Sequence, residues 1–501
     1  MFVPDTRAVL ATLILTSAAL GCSHPPRLAA DFVVTHANVW TGNPAQPSAT
    51  AVAVIGDRIV DVGGADEIER WRGANTTVLR ADGRRLIPGF YDAHVPFADG
   101  GTELDDVDLK DAGTAAELAR RINERAKAKP GEWILGGHWD ERRWAPAALP
   151  TRASIDDITN SSPVFVVRYD GRMTLANAAA LGRAGITEHS PDPPGGALVR
   201  DANGFPTGVL HGTAMDIVAR VVPKTTSEQR RHAVKRALEQ AASLGVTSVQ
   251  DIGATYEDIG IYADLASRGE LTVRVYAVLA EAGWYDQAKL GVHRAFGSAW
   301  LRIGAVRAMF DRAGDAAEMR TRLMAADHAG LPLSVAETRD GPAWAVLDLL
   351  DDIARARGGR DRRIRLDGSH IAAAEVDGLA SLNVVALLQP GVTDMTAKAL
   401  IDKGIRVSLG SGWPAASLNP MLTIDAAISR GVTAAQALSA LTGGSAFAEL
   451  QEGEKGIIAG GNLADMVILS DDVLAIPTSQ IQNVRVLTTI AGGKIVHQRK
   501  P

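Results

Sequence analysis

Short apolar runs alternate with amphipathic stretches through the middle of this chain, from about residue 87 to residue 450. Ala115–Lys127 and Thr226–Leu244 carry apolar residues at helical spacing among charged ones, which predicts two helices. Regular alternation of such helices with Val-, Ile- and Leu-rich runs is typical of a βα barrel. The later strand candidates in this region are Gly245–Asp251, Leu301–Phe310, Leu331–Ala336, Arg363–Leu366, Val384–Gln389 and Ile405–Leu409.

Both ends of the chain show a different pattern, in which apolar and polar residues alternate with a period of two. Asp31–Gly64 alternates in this way between Gly-Asp turns, and Gly456–Gln498 does the same near the other end. We therefore expect short strands in both segments.

The first 22 residues resemble a targeting segment. Val9–Leu20 is apolar but too short to span a bilayer comfortably, and Gly21 and Cys22 follow it directly. The ending resembles a bacterial lipoprotein cleavage box, so we expect a signal peptide over residues 1–22 with lipid on Cys22. Because Cys22 is also the only cysteine, no internal disulfide can form. The protein is then expected to be exported, periplasmic or membrane-anchored; a plain signal peptide or an uncleaved signal anchor is the alternative.

Composition narrows the possible partners. The chain is 46% hydrophobic and 22% charged with a formal net charge of -6, which is typical of a globular protein with a large core. No long basic run is present, so we expect no nucleic-acid partner.

The stretch with the clearest chemical content is Leu86–Gly100, LIPGFYDAHVPFADG. Its apolar run ends in Pro-Gly-Phe and places Asp92 and His94 where a buried strand should give way to a loop. It resembles the first barrel strand of the amidohydrolase superfamily, which ends in His-x-His. The two histidines of that signature face one side of the strand and hold one metal ion. Here the second position is Pro96, whose side chain has no lone pair to offer.

Three further motifs narrow the resemblance. GGHWDERRW, PVFVVRYDGRMTLANAAAL and GGALVRDANGFPTGVL lie between residues 132 and 212. They resemble the YtcJ-like branch of that superfamily, often called the amidohydrolase 3 group. The resemblance to this branch extends over nearly the whole chain after the signal. The resemblance implies a TIM-like (β/α)8 barrel over residues 87–450 and a small β-sandwich built from both ends, residues 23–86 and 451–501. It also implies an insertion within the barrel domain, at about 101–215, that lids the barrel mouth. The implied ancestral activity is metal-dependent hydrolysis of carbon–nitrogen bonds other than peptide bonds.

The same resemblance locates the remaining metal ligands, and each of these positions carries a side chain that cannot bind a metal. The bridging lysine position is Arg307, which cannot form a carbamate and stays positively charged. His94 is the one remnant ligand. Two positions that neighbour the ligands also differ from the family: the usual histidine of an Asp-Gly-His motif is Arg172, and the usual His-Asp pair is Gln250-Asp251. The positions without a ligand are Pro96, Arg307, Ala336, Leu366 and Gly412.

These replacements favour a pseudoenzyme that keeps the fold and needs no metal such as zinc, so that no catalytic residue is expected. It would bind a small, anionic molecule at the barrel mouth, with Arg172 and Arg307 clamping a carboxylate or phosphate. In a simpler interpretation, Arg307 pairs with a nearby acid such as Asp251 or Asp311. The residues expected to line the pocket are His94, Arg172, Asp251, Arg307, Asp311, Glu337, Asp340, Asp367 and Trp413.

Two other functions stay open at this point. An active hydrolase could use a site rebuilt from Glu337, Asp340, Asp367 and His370, or could act without a metal. His138, in the GGHWDERRW motif of the insertion, is interpreted as an exposed lid residue. The chain could also be an interaction partner within an envelope assembly.

Overall fold

The computed structural model describes residues 28–500, apart from 160, 293–295, 311–315, 338–342, 356–360, 368–375, 381, 383 and 392–396. Several predictions fall outside the described residues. They concern the signal segment with Cys22, the candidates Asp311, Asp340 and His370, and the side chain of Glu337.

The first part of the described chain is a set of short strands. Phe32, Val34, Val52 and Val54 alternate toward one buried core, as the period of two in the sequence predicts. The elements are β1 Phe32–Thr35, β2 Asn38–Trp40, β3 Ser48–Ala49, β4 Ala51–Ile55, β5 Arg58–Gly63, α1 Ala65–Glu69, β6 Thr77–Arg80 and β7 Arg85–Pro88. Four of them form a sheet in the order β5-β4-β1-β6.

The stretch Leu86–Gly100 spans the boundary between two domains. Its first residues complete β7, and Gly89 alone separates that strand from the next, β8 (Phe90–Val95). A helix, α2 (Phe97–Glu103), follows β8 where the sequence predicts a loop, and Pro96 is its N-cap residue. Proline suits this place because the start of a helix leaves backbone N–H groups unbonded in any case.

The insertion forms a sheet of its own beside the barrel. Its strands have the order β13-β14-β12-β11-β10-β9. The predicted helix at Ala115–Lys127 is observed here as α3, which buries Leu118, Ile122 and Ala126 on one face. The elements are β9 Val107–Asp108, α3 Ala115–Ala128, β10 Gly136–Trp139, β11 Phe165–Arg168, β12 Met173–Ala176, α4 Ala178–Arg183, β13 Gly196–Arg200, β14 Pro206–Gly212 and α5 Ala214–Ala219.

The middle of the chain is the expected parallel barrel. Within the described residues eight parallel strands follow one another in the order β8-β15-β16-β18-β19-β20-β21-β22. The strand at Arg274–Ala280 is absent from the sequence prediction, although its run VRVYAVLA carries a strand signal. The elements are α6 Ser227–Ser243, β15 Val246–Ile252, α7 Tyr256–Ser267, β16 Arg274–Ala280, α8 Trp284–Lys289, β17 Phe296–Gly297, β18 Leu301–Phe310, α9 Ala316–His328, β19 Leu333–Glu337, α10 Ala343–Arg355, β20 Arg365–Asp367, α11 Val376–Ala380, β21 Val385–Leu388, α12 Ala397–Asp402 and β22 Arg406–Leu409.

The last strand returns to the first and nearly closes the barrel. The Gly412 N–H donates to the His94 carbonyl oxygen at 3.0 Å. A Cβ at Gly410 would lie 2.6 Å from the backbone nitrogen of His94, so this approach requires glycine.

The end of the chain completes the β-domain. Strand β23 pairs antiparallel with β7, with Val467 opposite Ile87, and an isolated bridge joins Arg58 to Leu463. The prediction of a barrel plus a β-sandwich built from both chain ends is therefore confirmed. The elements are α13 Pro420–Ile428, α14 Ala434–Ala440, α15 Gly443–Ala448, β23 Met466–Leu469, β24 Val486–Ala491 and β25 Lys494–Gln498.

Among the helices in the described part of the chain, none is both long enough and apolar enough to cross a bilayer.

Candidate functional site

Three of the candidate side chains meet at the rim of the barrel, where its parallel strands end. Arg307 Nη2 lies 3.1 Å from Asp367 Oδ2, and His94 Nδ1 lies 3.2 Å from the same oxygen. The Gln389 amide donates to Asp367 Oδ1 at 3.2 Å. We call these four residues the rim cluster.

The contact between His94 and Asp367 is close without being a hydrogen bond, because the geometry at Nδ1 does not meet that requirement. Burial lowers the pKa of His94; the Asp367 carboxylate opposes this and the Arg307 guanidinium adds to it. An imidazole with a pKa below its usual 6.5 is mostly neutral at pH 7. Arg307 is therefore the cation that compensates Asp367 in the rim cluster.

The expectation that Arg307 pairs with an acid is met by Asp367 and not by Asp251. Asp251 Oδ1 accepts the Phe97 N–H at the start of α2 at 2.7 Å, and Oδ2 accepts the Tyr262 hydroxyl at 2.7 Å. Burial raises the pKa of Asp251 to about 7, although both donors oppose the rise. Asp251 thus ties the first helix of the barrel to the end of β15.

The structure also places Leu366 away from the rim. Successive side chains of a strand point to opposite faces. Arg365 and Asp367 face the barrel interior, since Arg365 bonds to Gln250 on the far side and Asp367 meets His94. Leu366 instead belongs to the hydrophobic core between the barrel and its helices. Asp367, one of the residues expected to line the pocket, is therefore the side chain that this strand contributes to the mouth, and Leu366 is not.

Two other positions without a metal ligand do lie beside the rim cluster. Ala336 is buried and stands in register with Asp367 on the neighbouring strand. Gly412 follows β22 next to His94 and has a φ of 69°, in the left-handed region that favours glycine.

Arg172 and Trp413 lie in different surroundings. Arg172 is exposed on the turn between β11 and β12, and no hydrogen bond or ion pair among the described residues joins it to Arg307. The expected clamp of two arginines is thus not formed by this pair. Trp413 is buried and packs edge-to-face on Phe97, with ring centroids 6.1 Å apart.

A row of polar residues on three adjacent strands extends from Arg307 of the rim cluster into the barrel interior. The sequence analysis did not predict the other residues of this row. Arg307, Ser334 and Arg365 are register partners on three adjacent strands, so their side chains share one face. Arg365 Nη1 donates to Gln250 Oε1 at 3.0 Å. The signal in the sequence was the alternation of Arg365 with Asp367, which marks both as interior.

A separate cleft lies between the insertion and the barrel. It is a cavity of about 300 Å³ whose walls include Asp106, Lys110 and Trp413 and exclude the rim cluster. His138 Nε2 lies 3.1 Å from Glu103 Oε2 in its wall, so His138 is a partly buried, paired residue and not an exposed one. Burial raises the pKa of Asp106 to about 6, with a further rise from the Glu103 carboxylate.

Among the described residues, no group of three or more His, Cys, Asp or Glu side chains is arranged to hold a metal ion.

Known proteins resemble this chain over most of its length. "Protein LONG AFTER FAR-RED 3" of Arabidopsis thaliana is 29% identical, covering 94% of this chain and 92% of that protein. "Putative amidohydrolase YtcJ" of Bacillus subtilis (strain 168) is 26% identical, covering 86% and 92%. Among solved structures, an uncharacterized metal-dependent hydrolase from Pyrococcus horikoshii OT3 superposes with a TM-score of 0.70 at 19% identity, covering 89% of this chain and 99% of its own.

The family model described as "Amidohydrolase family" matches residues 77–497, which takes in the barrel, the insertion and most of the C-terminal β-strands. This match extends well beyond half of the sequence and agrees with the two relatives and with the fold. The chain therefore belongs to the amidohydrolase family, in its YtcJ-like branch.

Proposed function

We propose that this protein is an exported pseudoenzyme of the amidohydrolase family, which has lost metal-dependent hydrolysis and binds a small anionic molecule inside its barrel. The observation that carries the proposal is the contact of 3.1 Å between Arg307 and Asp367. It puts a permanent cation beside the carboxylate that faces His94, where the branch is expected to hold its metal.

The donor set of the rim cluster does not fit a divalent ion. Besides the Gln389 amide, which donates to Asp367, it offers one imidazole and one carboxylate, and the carboxylate is already paired with a guanidinium. Catalytic zinc sites use at least three protein ligands. A guanidinium about 4 Å from a divalent ion would add about 8 kcal/mol of repulsion at an effective dielectric constant of about 20. We therefore derive no reaction step through a metal.

Anion binding is the function that the remaining charges favour. The barrel interior presents Arg307 and Arg365 in one layer, and Asp367 can compensate only one of them. Guanidinium groups are suited to carboxylates and phosphates because their N–H groups form a planar fork.

The decisive experiment is the metal content of the purified protein, measured by elemental analysis together with hydrolysis of N-acyl, cyclic-amide and ester substrates. An active amidohydrolase purified in parallel is the control. We expect no stoichiometric zinc, nickel, iron or manganese and no hydrolysis above background. About one metal ion per chain, or turnover that depends on the protein, would overturn the proposal.

A further inference from the structure

The interior row of Arg307, Ser334 and Arg365 carries donors that the protein itself does not use. Arg365 and Ser334 are at most 1% exposed. No described residue accepts from Nε or Nη2 of Arg365, from Nε of Arg307 or from the Ser334 hydroxyl. Gln250 Nε2 is likewise without a partner on the other side of Arg365. Such groups are costly to bury unbonded, and a charged one most of all.

Arg274 shows how this protein treats a fully buried arginine elsewhere. Its Nε and Nη2 donate to the two oxygens of Asp465, at 2.7 and 2.9 Å. Its guanidinium also stacks on Trp300, 4.3 Å from the ring centroid. Arg365 has the matching aromatic contact, 5.0 Å from the ring centroid of Tyr276, but lacks the carboxylate. The edge left free on Arg365, Nε with Nη2, is the edge that Arg274 presents to Asp465.

The described residues of this region carry one positive charge that no neighbouring carboxylate balances. Asp367 contacts Arg307 and His94, and no carboxylate of the described residues lies within 4.0 Å of Arg365. Glu449, deeper in the barrel, is already held by Lys455 at 2.8 Å and by the Tyr91 hydroxyl. Solvent reaches the Arg307 end of the row, since the Arg307 side chain is 17% exposed.

From these contacts we propose that Arg365, Ser334 and Arg307 form a binding site for a carboxylate, which supplies the acceptor that Arg365 lacks. The two oxygens accept from Nε and Nη2 of Arg365, while the Ser334 hydroxyl and Arg307 Nε donate from the adjacent strands. Nη1 of Arg365 donates to Gln250 Oε1, and this hydrogen bond holds the guanidinium in place. The site selects a planar carboxylate over a spherical anion, because the fork offers two parallel N–H groups.

This inference rests on the proposed function, whose ligand class it names. Binding of a carboxylate and loss of the metal are nevertheless measured separately. Metal found in the protein would overturn the proposed function whatever the carboxylates do. Absence of carboxylate binding in a metal-free protein would overturn the present inference alone.

The test is a thermal-unfolding titration of the full chain with sodium formate, acetate and butyrate, against sodium chloride at equal ionic strength. We expect the carboxylates to raise the melting temperature by a few degrees at saturation, by mass action on the folded state. Calorimetric titration should give about one site per chain. The order of formate, acetate and butyrate then reports whether the ligand is a free small acid or the head of a longer molecule.

Variants locate the site. Arg365→Met should lower the carboxylate affinity by about tenfold or more, since two charge-assisted hydrogen bonds are lost. Arg168→Met is the matched control. It removes a buried arginine paired with Glu141 in the insertion, so it should lower stability and leave the affinity unchanged. An equal response to chloride and carboxylates in the unmodified protein overturns the inference, as does an unchanged affinity in Arg365→Met. The unmodified protein decides the matter by itself if the variant fails to fold.

Discussion

Asp92 of the first barrel strand accepts the backbone N–H of Ser411, which follows the last strand, at 3.0 Å. The same oxygen accepts the His94 N–H at 3.1 Å, and the carboxyl is almost fully buried. This one side chain therefore accepts hydrogen bonds from the first strand and from the segment after the last strand, between which the barrel closes. It stands where the metal-binding signature begins, yet its contacts are structural.

The titration of Asp92 should be visible in the stability of the protein. Burial raises its pKa to about 6, against about 3.9 in an unfolded chain. The protonated carboxyl therefore stabilises the fold fully below about pH 4, and this contribution is lost as the pH rises through about 6. Relative to Asp92→Asn, the unmodified protein should lose up to about 3 kcal/mol of unfolding free energy between pH 4 and pH 7.

Denaturant unfolding at several pH values measures this difference. Asp66→Asn, at an exposed position in α1, is the control and should leave the pH profile unchanged. Parallel profiles for Asp92→Asn and the unmodified protein would contradict the assignment of a raised pKa to Asp92.

Restoring single ligand positions should not restore metal binding. Gly412→Asp and Pro96→His each leave Arg307 in place beside Asp367. Gly412→Asp should also cost about 1 kcal/mol, because an L-residue must adopt the left-handed conformation at φ 69°. Elemental analysis and denaturant unfolding check both statements. Gly412→Asn is the matched control, with the same shape and no charge; zinc bound stoichiometrically by Gly412→Asp alone would refute the prediction.

The two fully buried arginines should respond to substitution in opposite ways. Arg274→Met leaves Asp465 buried without its partner and should lower the unfolding free energy by about 3–5 kcal/mol. Arg365→Met removes a buried charge that no described carboxylate compensates, so without added anion it should be neutral or stabilising. Denaturant midpoints compare the two variants directly. A loss as large for Arg365→Met as for Arg274→Met would mean that Arg365 is already satisfied.

The prediction that Cys22 carries lipid is tested in cells. Two or more acyl chains are needed for stable anchoring, so Cys22→Ser should release the protein from the membrane to the soluble fraction. Ser23→Ala, which keeps the cysteine, should stay with the membrane. Membrane association that survives Cys22→Ser would indicate an uncleaved signal anchor.

Local patterns predicted single elements, and the family resemblance predicted how they are arranged. The helix α3 is found within a residue of its prediction because Leu118, Ile122 and Ala126 recur at the spacing of one helical turn. Alternation between glycine turns predicted strands at both chain ends, while their union in one β-domain, seen in the pairing of Val467 with Ile87, was implied by the resemblance.

The interior of the barrel was harder to predict, because it depends on the phase of very short strands. In β20, which has three residues, a shift of one position exchanges the core face with the interior face. The sequence analysis assigned both Leu366 and Asp367 to the mouth, but adjacent residues of a strand face opposite sides and only Asp367 lies there. The hydrogen bond between Arg365 and Gln250 crosses the barrel between strands that are far apart in sequence. No local sequence pattern can therefore predict it.

Gly89 makes the connection between the β-domain and the barrel rigid. It is the whole connection between β7 of the β-domain and β8 of the barrel, and a Cβ there would lie 2.1 Å from the Thr247 hydroxyl. A connection of one closely packed residue cannot act as a hinge. The buried ion pair of Arg274 and Asp465 joins the barrel to the β-domain at a second place. The β-domain is therefore a rigid support of the barrel, and we expect it to keep its position when a ligand enters.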